Sequence, residues 1–151
     1  MIGAAHQPES VADMKGDWQP MRTLIVEDDF TSRILLQSFL SRYGECHIAV
    51  NGNEAVDAFR AAGENAAGYD LVCMDILMPQ MDGTEALRRI RAIEAATGRL
   101  PPKGARIIMT TGLDNSKSVM ESFRESCDAY LVKPIDTGKL LGHLRSFGLV
   151  Y

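Results

Sequence analysis

The segment from Leu71 to Gly83 constrains the fold of this 151-residue chain more than any other stretch. Four apolar residues, LVCM, lead into Asp75, and Pro79 and Gly83 then force a turn before a helical pattern begins. A strand that is apolar on both faces belongs in a sheet covered on both sides, as parallel sheets are. In open α/β sheets, ligand sites lie at the carboxyl ends of the strands. We therefore predict a buried strand whose last residue, Asp75, stands at the functional edge of the sheet.

The same unit of a buried strand followed by an amphipathic helix repeats along the chain. The other predicted strands are Thr23–Val26, His47–Val50, Ala105–Thr110 and Ala129–Val132, and the predicted helices cover 31–42, 54–62, 83 to about 98, 115–126 and the region around 140–144. Alternating strands and helices require right-handed crossovers and a mostly parallel sheet. The pattern predicts an α/β, three-layer doubly wound (βα)5 domain with a five-stranded parallel sheet in the flavodoxin-like order 2-1-3-4-5.

Composition narrows the class of protein further. The net charge of -4 lacks the basic excess of a typical nucleic-acid binder, so we expect no direct nucleic-acid contact. No apolar run approaches the roughly 20 residues that span a bilayer, so we expect no membrane insertion. The three isolated cysteines and the lack of a signal-peptide core favour a cytoplasmic location. Residues 1–20 carry no sustained apolar period and are expected to form a poorly ordered tail before a single domain over 21–151.

Polar residues follow the predicted strands at the edge where their carboxyl ends meet. They are Glu27 and Asp28 after the first strand, Asp75 at the third, Thr111 at the fourth and Lys133 at the fifth. Three carboxylates this close repel by roughly 4 kcal/mol per pair at an effective dielectric constant of about 20. A divalent cation would relieve that repulsion, and a few carboxylates with room for water and phosphate oxygens suit Mg²⁺.

The same residues suit phosphoryl chemistry. A carboxylate can attack phosphorus, and phosphoryl transfer needs positioning and charge neutralisation above all. Lys133 supplies a compact positive charge, and the Thr111 hydroxyl can donate to a phosphoryl oxygen. The predicted site is therefore suited to an aspartyl phosphate.

From roughly Met21 to Leu149 the chain resembles the receiver domains of response regulators in two-component signalling. The resemblance rests on four segments in order, namely LIVED at 24–28, MDILMPQMDG at 74–83, TG at 111–112 and YLVKP at 130–134. It implies that Asp75 is the phosphoacceptor. It also implies that Glu27, Asp28 and Asp75, together with the backbone carbonyl of Leu77, bind Mg²⁺.

The resemblance assigns the other residues as well. It implies that Thr111 is the switch hydroxyl, that Lys133 is the site lysine, and that Tyr130 is the aromatic ring whose rotamer reports the state. The peptide bond between Lys133 and Pro134 is usually cis in this family. Phosphorylation is then expected to alter the face formed by the fourth helix, the fifth strand and the fifth helix, where a target protein would bind.

Several residues depart from the usual family pattern. Glu27 replaces a more frequent Asp, so its contact with a metal is expected to run through water. Asp29 falls just past the acidic pair and is assigned to the loop or to the cap of the first helix. Leu77 and Leu113, which flank the path of attacking water by resemblance, are both apolar and predict a long-lived phosphate.

The predicted function is a single-domain response regulator that accepts a phosphoryl group on Asp75 from a histidine kinase or a histidine phosphotransfer protein. It would catalyse its own phosphorylation and dephosphorylation without acting on an external product. Two alternatives stay open, a phosphorelay intermediate that passes the group onward and a receiver fragment of a hybrid histidine kinase. A flavin- or nucleotide-binding protein of the same fold is disfavoured, since the acidic loop after the first strand would repel phosphate.

Overall fold

A five-stranded parallel sheet forms the centre of the protein. The computed structural model describes residues 20–64, 68–78, 81–99, 104–112 and 126–151. The strands are β1 (Thr23–Val26), β2 (Cys46–Ala49), β3 (Leu71–Asp75), β4 (Arg106–Thr111) and β5 (Ala129–Val132). They are hydrogen-bonded in the order β2-β1-β3-β4-β5, and all four neighbouring pairs are parallel. The predicted fold class and strand order are therefore confirmed.

Helices pack on both faces of this sheet. They are α1 (Phe30–Leu40), followed by a 3₁₀ turn (Ser41–Tyr43), α2 (Gly52–Glu64), α3 (Gly83–Ala96) and α4 (Thr137–Ser146), the last helix of the chain. One apolar cluster joins the sheet to α2 and α3, and a second joins it to α1 and α4. The helix predicted over 115–126 falls almost wholly outside the described residues, as do the predicted tail and Leu113.

Local hydrogen bonds explain where two helices begin. The Asp29 carboxylate accepts from Ser32 N at 2.9 Å and so caps α1, in agreement with its assignment to the loop or cap. Helix α2 begins two residues before its predicted start. There Asn51 accepts from Glu54 N, and Glu54 accepts in return from Val50 N, which is a reciprocal capping arrangement.

Strand pairing explains two shifts of one residue. Strand β2 begins at Cys46 because that residue is in register with Thr23 of β1. Strand β4 extends to Thr111 because Thr111 is in register with Val132 of β5. The predicted bounds of β1 and β5 are confirmed.

Helical spacing in the sequence predicts that Arg88, Arg89 and Arg91 lie mostly on the solvated face of α3, and for Arg91 this prediction is wrong. Its side chain is only 23% exposed and donates to Glu94, Asp128 and the carbonyl oxygen of Ala105. Arg88 on the same helix is 74% exposed, as the sequence predicted. Arg91 therefore ties the C-terminal half of α3 to the segments that begin β4 and β5.

Candidate functional site

Three carboxylates meet at the carboxyl edge of the sheet. Glu27, Asp28 and Asp75 each offer an oxygen atom, and these atoms all lie within 4.8 Å of one another. The parallel register that sets Val26 of β1 opposite Met74 of β3 brings the next residues of both strands side by side. Glu27 and Asp75 are buried and Asp28 is exposed, so the group opens to solvent on one side.

Lys133 brings a positive charge into this acidic group. Its Nζ atom donates to Asp75 Oδ2 and to Glu27 Oε1, each at 3.1 Å. The backbone places it there, because Lys133 N donates to Thr111 O at 2.7 Å and so continues the pairing of β5 with β4. The Lys133–Pro134 peptide bond is cis, as the resemblance implied.

The charges at this edge shift each other's protonation. Burial is the largest cause that raises the pKa of Glu27 to about 7, the Asp75 charge adds to it, and the hydrogen bond from Lys133 opposes it. Burial also works against the charged form of Lys133. The hydrogen bonds and charges of Glu27 and Asp75 outweigh that effect, so the pKa of Lys133 is raised. The single positive charge of Lys133 therefore does not fully compensate the three carboxylates.

One buried oxygen indicates that a cation fits here. Glu27 Oε2 lies 3.0 Å from Lys133 Nζ, but the angles are not those of a hydrogen bond, and this oxygen has no hydrogen-bond partner. A buried carboxylate oxygen without a partner costs free energy. The donor set consists of carboxylate oxygens, which suit a hard divalent cation such as Mg²⁺. The residues therefore fit the predicted metal.

The backbone after Asp75 is held in a tight turn. Leu77 N donates to Asp75 Oδ1 at 3.2 Å, and Gly83 N donates to Ile76 O at 2.7 Å. A Cβ atom at Gly83 would overlap the carbonyl oxygen of Asp75. Only glycine therefore allows α3 to begin this close to the end of β3. The sequence suggested a turn at Gly83 but not this contact.

Two predicted switch residues lie on neighbouring strands. Thr111 is buried at the end of β4, and its hydroxyl donates to the carbonyl oxygen of Gly112 at 3.2 Å. Tyr130 on β5 is 39% exposed, so its ring does not lie in the core. It lines a surface cleft of about 530 Å³ together with Pro134, Lys139 and His143.

Sequence patterns missed an apolar rim beside the acidic group. Phe30 and Leu77 are 66% and 62% exposed, and Ile34, one helical turn after Phe30, is also exposed. Phe30 begins α1 just after the Glu27–Asp29 loop, and Leu77 follows Asp75 by two residues. Phe30 and Ile34 extend the apolar spacing of α1, but that spacing cannot say which residues stay uncovered.

The fold and the site together define a flavodoxin-like α/β domain with an acidic, lysine-containing site at the carboxyl edge of its sheet. The chain belongs to the response regulator receiver domain family, whose model matches residues 23–145. It is thus a receiver domain of two-component phosphorelay signalling. Among the described residues, no helix has both the length and the apolar character needed to cross a membrane.

Relatives include both short proteins and parts of long ones. The chain is 32% identical to chemotaxis protein CheY of Treponema pallidum over 137 residues, covering 89% of this chain and 88% of that protein. It is also 32% identical to probable histidine kinase 2 of Oryza sativa subsp. indica, covering 80% of this chain but only 12% of the kinase.

Two solved structures share the fold. The receiver domain of the histidine kinase CKI1 from Arabidopsis thaliana, complexed with Mg²⁺ and BeF3⁻, has a TM-score of 0.71 and 28% identity, covering 85% of this chain and 89% of that one. The receiver domain of the response regulator Ssk1, in a complex with the Saccharomyces cerevisiae histidine phosphotransfer protein Ypd1, is also similar. It has a TM-score of 0.71 and 29% identity, covering 88% of this chain and 92% of that one.

Proposed function

We propose that the protein accepts a phosphoryl group on Asp75 from a phosphohistidine of a histidine kinase or a histidine phosphotransfer protein. The observation that carries this proposal is the Lys133 ammonium group, which bridges Glu27 and Asp75 inside a group of three carboxylates. An ordinary surface ion pair would not place a lysine between two buried acids that have a third acid beside them. This arrangement suits a carboxylate that must meet a phosphoryl group of the same charge.

In the proposed reaction an Asp75 carboxylate oxygen forms a bond to phosphorus while the phosphorus–nitrogen bond of the donor breaks. The donor imidazole leaves with that electron pair. Glu27, Asp28 and Asp75 would hold Mg²⁺, which when bound supplies positive charge against the phosphoryl oxygens. The Leu77 carbonyl is proposed as a further ligand. Asp75 needs no base, because its carboxylate is the nucleophile.

The new phosphate would bring roughly -1.5 to -2 of charge and three acceptor oxygens into the site. Lys133 already lies 3.1 Å from Asp75 Oδ2 and is positioned to bind one of those oxygens. The Thr111 hydroxyl, which donates to the carbonyl oxygen of Gly112, is proposed to turn toward another. The half-exposed ring of Tyr130 would then move, changing the surface of β5 and α4.

Incubation with acetyl phosphate and Mg²⁺ tests the chemistry directly. The intact mass of the wild-type protein should increase by one phosphoryl group, and the Asp75→Asn variant should show no gain. Asp57→Asn is the matched control, since Asp57 is an exposed aspartate on α2 away from the site. Uptake by Asp75→Asn, or uptake that is unchanged when Mg²⁺ is chelated, would contradict the proposal.

The apolar rim of Phe30, Ile34 and Leu77 supports a protein as donor. Exposed apolar side chains beside a reactive group mark a surface for a partner. Ile34→Glu should therefore slow transfer from a phosphorylated histidine phosphotransfer protein by at least tenfold and leave labelling by acetyl phosphate unchanged. Gln37→Glu, an exposed control on the same helix, should leave both rates as they are. Equal effects of the two variants on the protein donor would exclude the rim as its contact.

Two outputs are proposed as alternatives. In the first, the phosphorylated face of β5 and α4, including the cleft beside Tyr130, binds a target protein. In the second, the group passes onward, a role supported by the likeness to a receiver domain found with a phosphotransfer protein. Back-transfer from Asp75 to such a protein within the normal phosphate lifetime would favour the relay. Failure to transfer would favour the target-binding regulator.

A further inference from the structure

A groove between the C-terminal halves of α2 and α3 lies far from the acidic group. Its volume is about 510 Å³, and its apolar lining includes Phe59, Ala92, Ile93 and Ala96. Helix α3 begins beside Asp75 and ends shortly before β4 starts, so the groove lies toward the opposite edge of the sheet. A concave apolar surface with a few polar groups is the usual form of a binding site.

The rim of the groove is mainly positive. Arg60, Arg89 and Arg99 line it against a single acid, Glu64. Arg60 and Arg89 form exposed ion pairs within their own helices. Such pairs contribute about 0–1 kcal/mol to stability. An incoming acidic group can therefore replace the acid of each pair at little cost in free energy. The groove therefore favours an occupant that is both apolar and acidic.

The domain begins close to one end of this groove. Arg22 Nη1 lies 3.5 Å from Gly68 O. The Arg99 guanidinium lies directly against the other side of Gly68, where a Cβ atom would overlap it. Gly68 thus lies between the Arg22 side chain, at the start of the domain, and Arg99 at the rim of the groove.

The segment that precedes this entry has the matching chemistry. Residues 1–19 contain Glu9, Asp13 and Asp17 against one lysine, and the large apolar residues Val11, Met14 and Trp18 stand between and beside these acids. Helix α3 rises about 10 Å from Arg89 to its last residue, Ala96. An extended chain covers that length with about three residues, so the segment is long enough to reach and fill the groove.

We propose that residues 11–18 bind in the groove between α2 and α3, with their apolar side chains against Phe59 and Ile93 and their acids toward the arginine rim. This contact goes beyond the phosphoryl chemistry, since it uses none of the residues at the acidic edge. It gives the segment before the domain a docking site on the domain itself.

Trp18 is the only tryptophan of the 151-residue chain and reports this contact. We expect its emission to be blue-shifted and protected from acrylamide quenching in the wild type. Gly63→Glu adds an acid on α2 where a side chain meets open space, and Ala92→Glu adds one at an exposed site on α3. Both variants should lose the protection, whereas Gln37→Glu on α1 should keep it.

Circular dichroism verifies that each variant is folded before the fluorescence is compared. Wild-type Trp18 emission like that of a free indole in water would overturn the proposal. Protection that persists in both folded groove variants would also overturn it, because Trp18 would then be buried elsewhere. Labelling of Asp75 by acetyl phosphate should be the same in all four proteins, so failure of this contact is distinguishable from failure of the phosphoryl chemistry.

Discussion

Glu27 shows how a buried carboxylate can destabilise the fold and still favour the binding of a cation. Its side chain is completely buried, and burial together with the Asp75 charge raises its pKa to about 7. Lys133 compensates only part of this cost, since one Glu27 oxygen keeps no hydrogen-bond partner. A bound cation would supply the missing positive charge. The unfavourable electrostatics of the carboxylates therefore favour cation binding.

The raised pKa of Glu27 predicts a pH dependence of stability without metal. An acid whose pKa is higher in the folded state holds its proton more tightly there than in the unfolded chain. The free energy of unfolding should therefore decrease as pH rises from about 4.5 to about 7, by on the order of 1–3 kcal/mol. Urea unfolding across this range, in a buffer free of divalent cations, measures it.

The Glu27→Gln variant should lose most of that decrease, because it has no proton to release. Asp57→Asn, which changes an exposed acid, should keep the wild-type profile. Parallel profiles for wild type and Glu27→Gln would show that Glu27 is not the group that titrates.

At the level of elements, α3 is fixed at both ends by different means. Its start is held by the close approach of Gly83 to the end of β3. Its C-terminal half is held by Glu94, which is 2% exposed and accepts from Ala105 N at 2.6 Å and from Arg91 Nη1 at 2.6 Å. Arg91 extends the network to Asp128. The helix that begins beside Asp75 is therefore rigidly connected to the start of β4.

Arg91→Met should destabilise the protein far more than Arg88→Met. The first change leaves the buried Glu94 without its cation, and breaking a buried pair typically costs 3–5 kcal/mol. Arg91 keeps some exposure, so we expect a loss of about 2–4 kcal/mol. Arg88 is 74% exposed, and its removal should cost less than about 0.5 kcal/mol. Chemical denaturation of both variants measures this difference, and equal losses would refute the role given to the network.

On the scale of the whole molecule, the strand order creates the site. Strands β1 and β3 are neighbours in the sheet, although α1, β2 and α2 lie between them in the sequence. Glu27 and Lys133 are 106 residues apart yet hydrogen-bonded. A ligand that binds this edge therefore stabilises contacts between the first and last strands of the fold, and its effect should extend to global unfolding.

Beryllium fluoride with Mg²⁺ should raise the melting temperature of the wild-type protein. A ligand at 100 times its dissociation constant adds about 2.7 kcal/mol, which corresponds to roughly 5–10 °C for a domain of this size. Asp75→Asn should show no such increase. Differential scanning calorimetry with each component alone and with both together tests this, and an equal increase in Asp75→Asn would place the ligand elsewhere.

Much of this architecture could be predicted from local patterns. The apolar runs identified all five strands, and the polar residues that follow them were expected at one edge. The structure does bring Glu27, Asp28, Asp75 and Lys133 together, while their roles in phosphoryl transfer stay predictions. Hydrophobic periodicity succeeds here because it reports which face of an element must be buried, and the βα repeat leaves few ways to bury those faces.

Tertiary structure alone decided which side chains within those elements are covered. Arg88 and Arg91 look alike in the sequence, but only Arg91 faces the chain segments that begin β4 and β5. Tyr130 continues an apolar strand yet stands half-exposed beside α4. The sequence determined the elements, their order and the chemistry at the strand ends, because these depend on short-range spacing. Burial of single residues depends on elements tens of residues away, and only the packed layers settle it.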